Sequence, residues 1–82
     1  MNRTRLAGFV RILGTLLEAP MTPQELAYRV EMEPDEFEEH LSILLKKGFM
    51  IRSEREGEIV YLATEEGLQL YTQWLTIWKD VR

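Results

Sequence analysis

All three prolines of this 82-residue chain fall between positions 20 and 34, and they dictate where helices can begin and must stop. Proline lacks the amide hydrogen that an interior turn needs, and it pushes the residue before it out of the helical region. Pro20 therefore ends whatever precedes it, near Glu18-Ala19. Thr22-Pro23-Gln24-Glu25 then combines an N-cap threonine, a proline at the first helical position and a glutamate at the capping-box position. Pro34 opens another helix only a few residues later. Glu31-Met32-Glu33 is all that separates the two, so they must meet across a tight turn.

Apolar spacing fills in the elements around these breaks. Leu6, Phe9, Val10, Leu13, Leu16 and Leu17 recur at helical period and predict a first helix over about 4–18. A second runs over about 23–30, burying Leu26, Ala27 and Val30. A third runs over about 34–47, with Phe37, Leu41, Leu44 and Leu45 inward. It stops at Lys46-Lys47-Gly48, basic residues followed by a glycine suited to a helix C-terminus. After Gly48 the period changes. Phe49-Met50-Ile51-Arg52 and Ile59-Val60-Tyr61-Leu62 are β-prone, with Glu56-Gly57 between them where a hairpin turn belongs. Thr64 caps a last helix over about 65–81. The expected fold is mostly α with a small β-hairpin, a single α+β domain over 1–82 in the order α-α-α-β-β-α, its hairpin covering about 49–63.

Composition narrows the chemistry. There is no cysteine and one histidine, which excludes a disulfide, a thiolate metal site and a cysteine nucleophile. His40 and Glu36 are spaced to share a ligand, but two groups are too few for a zinc site. No paired-carboxylate cleft, phosphate-binding glycine loop or nucleophile–base pair can be pointed to, so we expect no enzyme, no cofactor and no metal. Arg11 interrupts the first apolar run after Val10, so the N-terminus reads as an amphipathic helix rather than a secretion signal. No segment is long enough to cross a membrane, and a cytoplasmic location is expected.

The order of elements and the short turn between the second and third helices resemble a winged helix-turn-helix domain. Leu26-Ala27, Phe37, His40-Leu41, Leu44 and Gly48-Phe49 match the pattern of ArsR/MarR-type repressors. Tyr61-Leu62-Ala63-Thr64-Glu65-Glu66-Gly67 is similar to the segment that closes the wing and opens the last helix there and in PadR-type regulators. The resemblance covers residues 9–78. It implies a third helix placed in the DNA major groove, a wing along the backbone, and first and last helices paired across a two-fold axis.

The charges at those positions run against groove insertion. The net charge is −4, and the acid is concentrated: residues 22–40 carry Arg29 against seven carboxylates. With Phe37 inward, the outward side of the third helix is centred on Asp35, Glu39, Ser42 and Lys46, flanked by Glu36 and Ile43 on one side and Glu38 on the other. Carboxylates can accept from cytosine but repel phosphate. Each such repulsion is worth about 1 kcal/mol near contact in water, and several together rival non-specific DNA affinity. Glu33, Asp35, Glu36, Glu38 and Glu39, with Ile43 as an apolar residue beside them, read instead as a face for a basic protein partner. The main expectation is thus a small dimeric regulator-type protein acting through protein contacts. The alternative is a DNA-binding transcriptional regulator docking by an atypical surface built from Arg3, Arg5, Lys46, Lys47, Arg52 and Arg55.

The last helix carries two apolar stripes. Leu68, Tyr71, Trp74, Leu75 and Trp78 suffice for the domain's own core. A second stripe of Leu70, Trp74, Ile77 and Val81 is more than one small domain can bury. Ile12 lies off the assigned stripe of the first helix. Ile12, Leu70, Trp74, Ile77, Trp78 and Val81 are therefore expected at a homodimer interface.

Overall fold

The computed structural model describes the backbone of residues 3–80 and the side chains of residues 6–76. Its elements are α1 (Arg3–Glu18), α2 (Pro23–Val30), α3 (Pro34–Lys46), β1 (Met50–Arg55), β2 (Glu58–Ala63) and α4 (Glu65–Asp80), in the expected order.

The proline-marked start of α2 is a complete capping box. The Glu25 amide donates to Thr22 Oγ1 at 3.2 Å, and the Thr22 amide donates to Glu25 Oε1 at 2.9 Å. Accepting hydrogen bonds from the Thr22 amide and then its hydroxyl holds the Glu25 carboxyl below its ordinary pKa. α2 ends on Glu31 in the left-handed region (φ 52°), its amide bonded to Ala27 O. That reversal makes the tight passage into α3. Arg11 reaches across from α1 to donate to Val30 O at 3.1 Å, so its guanidinium satisfies the end of α2.

α3 closes with paired bonds from the Gly48 amide to Leu45 O (3.2 Å) and from the Phe49 amide to Leu44 O (2.9 Å), with Gly48 at φ 78°. This is a Schellman ending. It turns the chain straight from Lys46-Lys47 into β1. The hairpin pairs Met50 with Ala63 through Arg55 with Glu58, and both turn residues have positive φ, 51° at Glu56 and 80° at Gly57. That is the primed turn whose twist suits a two-residue hairpin. Met21 adds a single bridge to the other edge of β2, exchanging backbone bonds with Tyr61 at 2.7 and 3.2 Å.

Thr64 ties the wing to the last helix. Its hydroxyl donates to Gly48 O at 2.7 Å and accepts from the Gly67 amide at 3.0 Å. Gly67 is required here, because a Cβ at this position would collide with Phe49 O. The first turn of α4 crosses directly over the exit from α3.

One core runs through the molecule: Phe9, Ile12, Leu13 and Leu16 of α1, Leu26 and Val30 of α2, Phe37, Leu41 and Leu44 of α3, with Met50, Tyr61 and Met21. Two helices sit in a different rotation from that expected. In α1 the buried row is Phe9, Ile12, Leu13 and Leu16, with Ile12 0 % exposed, while Leu17 is 40 % exposed and Val10 half-buried. Ile12 is therefore core and not available to a second copy. In α4, Leu70 and Tyr71 pack against the core, while Leu68 (44 %) and Leu75 (41 %) face outward. Leu70 belongs to the inner side, and Leu68 and Leu75 to the outer. Each helix carries an apolar arc of about half its circumference or more, wider than its contact with the core, so period alone admits more than one rotation.

Candidate nucleic-acid interface

The solvent side of α3 is set by what its other side buries. Phe37, His40, Leu41 and Leu44 point into the core, leaving Asp35, Glu38, Glu39, Ser42 and Lys46 exposed. Glu33, the N-cap residue, is exposed and makes no side-chain cap bond. Asp35 and Glu36 in the first turn and Lys46 in the last complement the helix dipole. His40 is buried against Phe9, ring centroids 4.6 Å apart, with Nδ1 2.8 Å from Glu36 O. It holds the first turns of α3 to α1.

Two of the residues assigned to an acidic partner face are placed differently from that expectation. Ile43 is not an apolar residue stranded among carboxylates: it is half-buried and packed against the core. Glu36 is also only partly exposed. The carboxylates that do face solvent, Glu33, Asp35, Glu38 and Glu39, all lie on the N-terminal half of α3 or just before it.

The basic side chains gather elsewhere. Lys46 and Lys47 are exposed at the far end of α3, and the Schellman turn carries the chain from them into the wing, where Arg52 and Arg55 are exposed. Arg52 stands opposite Tyr61, and Arg55 opposite Glu58, so the two arginines lie on opposite faces of the hairpin. Glu54, Glu56 and Glu58 are exposed on the same hairpin. Arg29 is engaged by Glu18 at 2.7 Å. The side chains of Arg3 and Arg5 lie outside the described residues, as do those of Ile77, Trp78 and Val81.

Some surface residues escaped the sequence reading. Tyr28 on α2 is 83 % exposed. Its place off the Leu26–Val30 row was the available signal. Val10, Ala7 and Arg11 of α1 and half-buried Trp74 with Leu75 of α4 line a shallow cleft of about 210 Å³. Among the described residues, no helix is long and apolar enough to cross a membrane.

A family model described as winged helix-turn-helix matches residues 2–79. The chain belongs to that family. Among solved structures it is similar to a cysteine-to-serine mutant of Lactococcus lactis ZitR, with TM-score 0.76 and 17 % identity over 90 % of this chain and 53 % of that one. It is similar to the transcriptional repressor BigR from Xylella fastidiosa, with TM-score 0.74 and 21 % identity over 96 % and 81 %. It is also similar to SSV1 F-93, with TM-score 0.65 and 19 % identity over 94 % and 92 %. The chain spans about half the length of the Lactococcus protein, and at these identities the likeness is one of fold. Comparison with curated proteins gives no match.

Proposed function

We propose that this winged-helix protein is a DNA-binding transcriptional regulator that docks by the C-terminal end of α3 and the wing rather than by the N-terminal half of α3. The observation that carries this reading is the division of α3: exposed carboxylates at one end, and at the other exposed Lys46 and Lys47 leading directly into a wing that bears Arg52 and Arg55. Phosphate contacts by such residues supply most of the sequence-independent affinity for duplex DNA. The carboxylates of Glu38 and Glu39 then keep non-specific affinity low, and they can accept a bond only from a base edge such as the cytosine amino group. Membership of the family and likeness to a transcriptional repressor support the same role, and a cytoplasmic location follows from it. Removing Lys46 or Arg52 by alanine substitution should lower the slope of log affinity against log salt by about one per residue. An unchanged slope would take that residue out of the interface.

A second reading keeps the exposed acidic residues as a face for a basic protein partner. It is favoured by the gathering of Glu33, Asp35, Glu38 and Glu39 at one end of the helix. The burial of Ile43 removes its apolar anchor, so we rank it second.

The outer faces of α1 and α4 suit a second copy of the chain. Val10 and Leu17 are seven residues apart on one helix, as are Leu68 and Leu75 on the other, and Val10 and Leu75 line the same cleft. Trp74 remains at this seam, whereas Ile12 and Leu70 do not. Leu17→Glu with Leu75→Glu should halve the sedimenting mass of a dimer, and a dimer that persists would place the interface elsewhere.

A further inference from the structure

Ile43 forms one wall of an apolar groove of about 450 Å³ between α1, α3 and α4. Phe9 and Leu44 make its floor, and half-buried Leu6, Ile43, Phe49 and Leu70 its walls. Among the described residues that line it, exposed Lys47 is the one that carries a charge, and it makes no ion pair with another described residue. A volume of this order suits a small organic molecule, and such sites pair an apolar lining with a few polar groups that orient the ligand.

We propose that this groove binds a free monoanionic amphiphile, a medium-chain alkyl carboxylate, with its chain against Phe9, Ile43 and Leu70 and its carboxylate on the Lys47 ammonium. Charge complementarity selects the occupant: an ammonium on an otherwise apolar lining favours an anionic head over a neutral or cationic one. Because Lys47 also belongs to the basic end of α3, occupancy neutralises a phosphate contact and lowers affinity for DNA. This regulatory half rests on the DNA-binding reading, and the ligand site does not.

The test is calorimetric titration of the full chain, without DNA, with hexanoate, octanoate and decanoate below micelle-forming concentrations, and with octanol and octylammonium as head-group controls. Binding should saturate at one ligand per chain and tighten about fourfold for each added methylene. Octanoate should exceed octanol roughly tenfold, with octylammonium weaker than both. Lys47→Gln, at an exposed position, should erase the preference for octanoate over octanol. Ile43→Phe, which fills the groove with apolar bulk, should abolish binding with the circular-dichroism spectrum unchanged. No saturable binding of decanoate, or binding indifferent to both substitutions, overturns the site. An Ile43→Phe variant with altered sedimenting mass also overturns it, because a second copy would then cover the groove. Octanoate that binds but leaves DNA affinity unchanged overturns only the regulatory half. A chain that never binds DNA defeats the DNA reading while the calorimetry stands.

Discussion

The two halves of α3 share one helix and one solvent-facing side, yet they are built for different neighbours. The N-terminal half exposes Asp35, Glu38 and Glu39 just after Glu33, and it is held to α1 through His40 on Phe9. The C-terminal end exposes Lys46 and Lys47 and is locked to the wing and to α4 by the Schellman turn and Thr64. Charge at each end complements the helix dipole, which makes the division cheap to fold. What it teaches is that one helix of this fold can present carboxylates at its leading end and ammonium groups only where it meets the wing. On the proposed DNA-binding reading, docking is then a property of the junction and not of the helix alone.

That contrast can be broken most severely at Gly67. A Cβ there collides with Phe49 O, so Gly67→Ala should cost about 3–4 kcal/mol and lower the thermal midpoint, while a Gly67→Ala protein that melts like the parent would mean that α4 does not clamp the basic end. The rotation of α1, which decides what is left outside, is tested by a pair of truncations. Ile12→Ala should lose about 3 kcal/mol in urea unfolding and Leu17→Ala under about 1. Equal losses would restore the other rotation and return Ile12 to the surface. Reversing the acidic half sharpens the comparison directly. Glu38→Lys with Glu39→Lys should raise affinity for duplex DNA at least about tenfold, and unchanged affinity would show that this half never approaches DNA. The smallest effect lies outside α3. Thr22→Ala opens the capping box of α2 and should cost about 1 kcal/mol. Because the Glu25 carboxyl is held below its ordinary pKa in the folded state, its contribution is present above the unfolded value and fades as pH falls through the folded one. The acid sensitivity of Thr22→Ala should accordingly be less than that of the parent.

Where the chain was punctuated, the sequence was legible. Thr22-Pro23-Gln24-Glu25, Glu56-Gly57, Gly48 and Thr64 each act through a local backbone requirement, and each stands where its type of residue demands. The rotations of α1 and α4 were not legible. Leu6, Ala7, Phe9, Val10, Ile12, Leu13, Leu16 and Leu17 cover more than half of α1, and only tertiary packing selects the row of Phe9, Ile12, Leu13 and Leu16. The same ambiguity misplaced Leu70 against Leu68 and Leu75. Ile43 failed for a related reason: its position on the helix wheel is lateral, and whether it is bare depends on Leu6 and Leu70 from two other helices. Charge, by contrast, transfers well from sequence to surface, since Asp35, Glu38, Glu39, Lys46, Arg52 and Arg55 are all exposed.

On the proposed reading, the basic junction between α3 and the wing gives this chain a DNA-binding surface. That reading is met most directly by a fluorescence-anisotropy titration of the protein against mixed-sequence duplex DNA at low salt, repeated at higher salt. Saturable binding that weakens steeply as salt rises is the predicted result, because released counterions supply the affinity of such contacts. No binding at low salt, where phosphate contacts are strongest, would contradict it and leave the acidic half of α3 as the working surface.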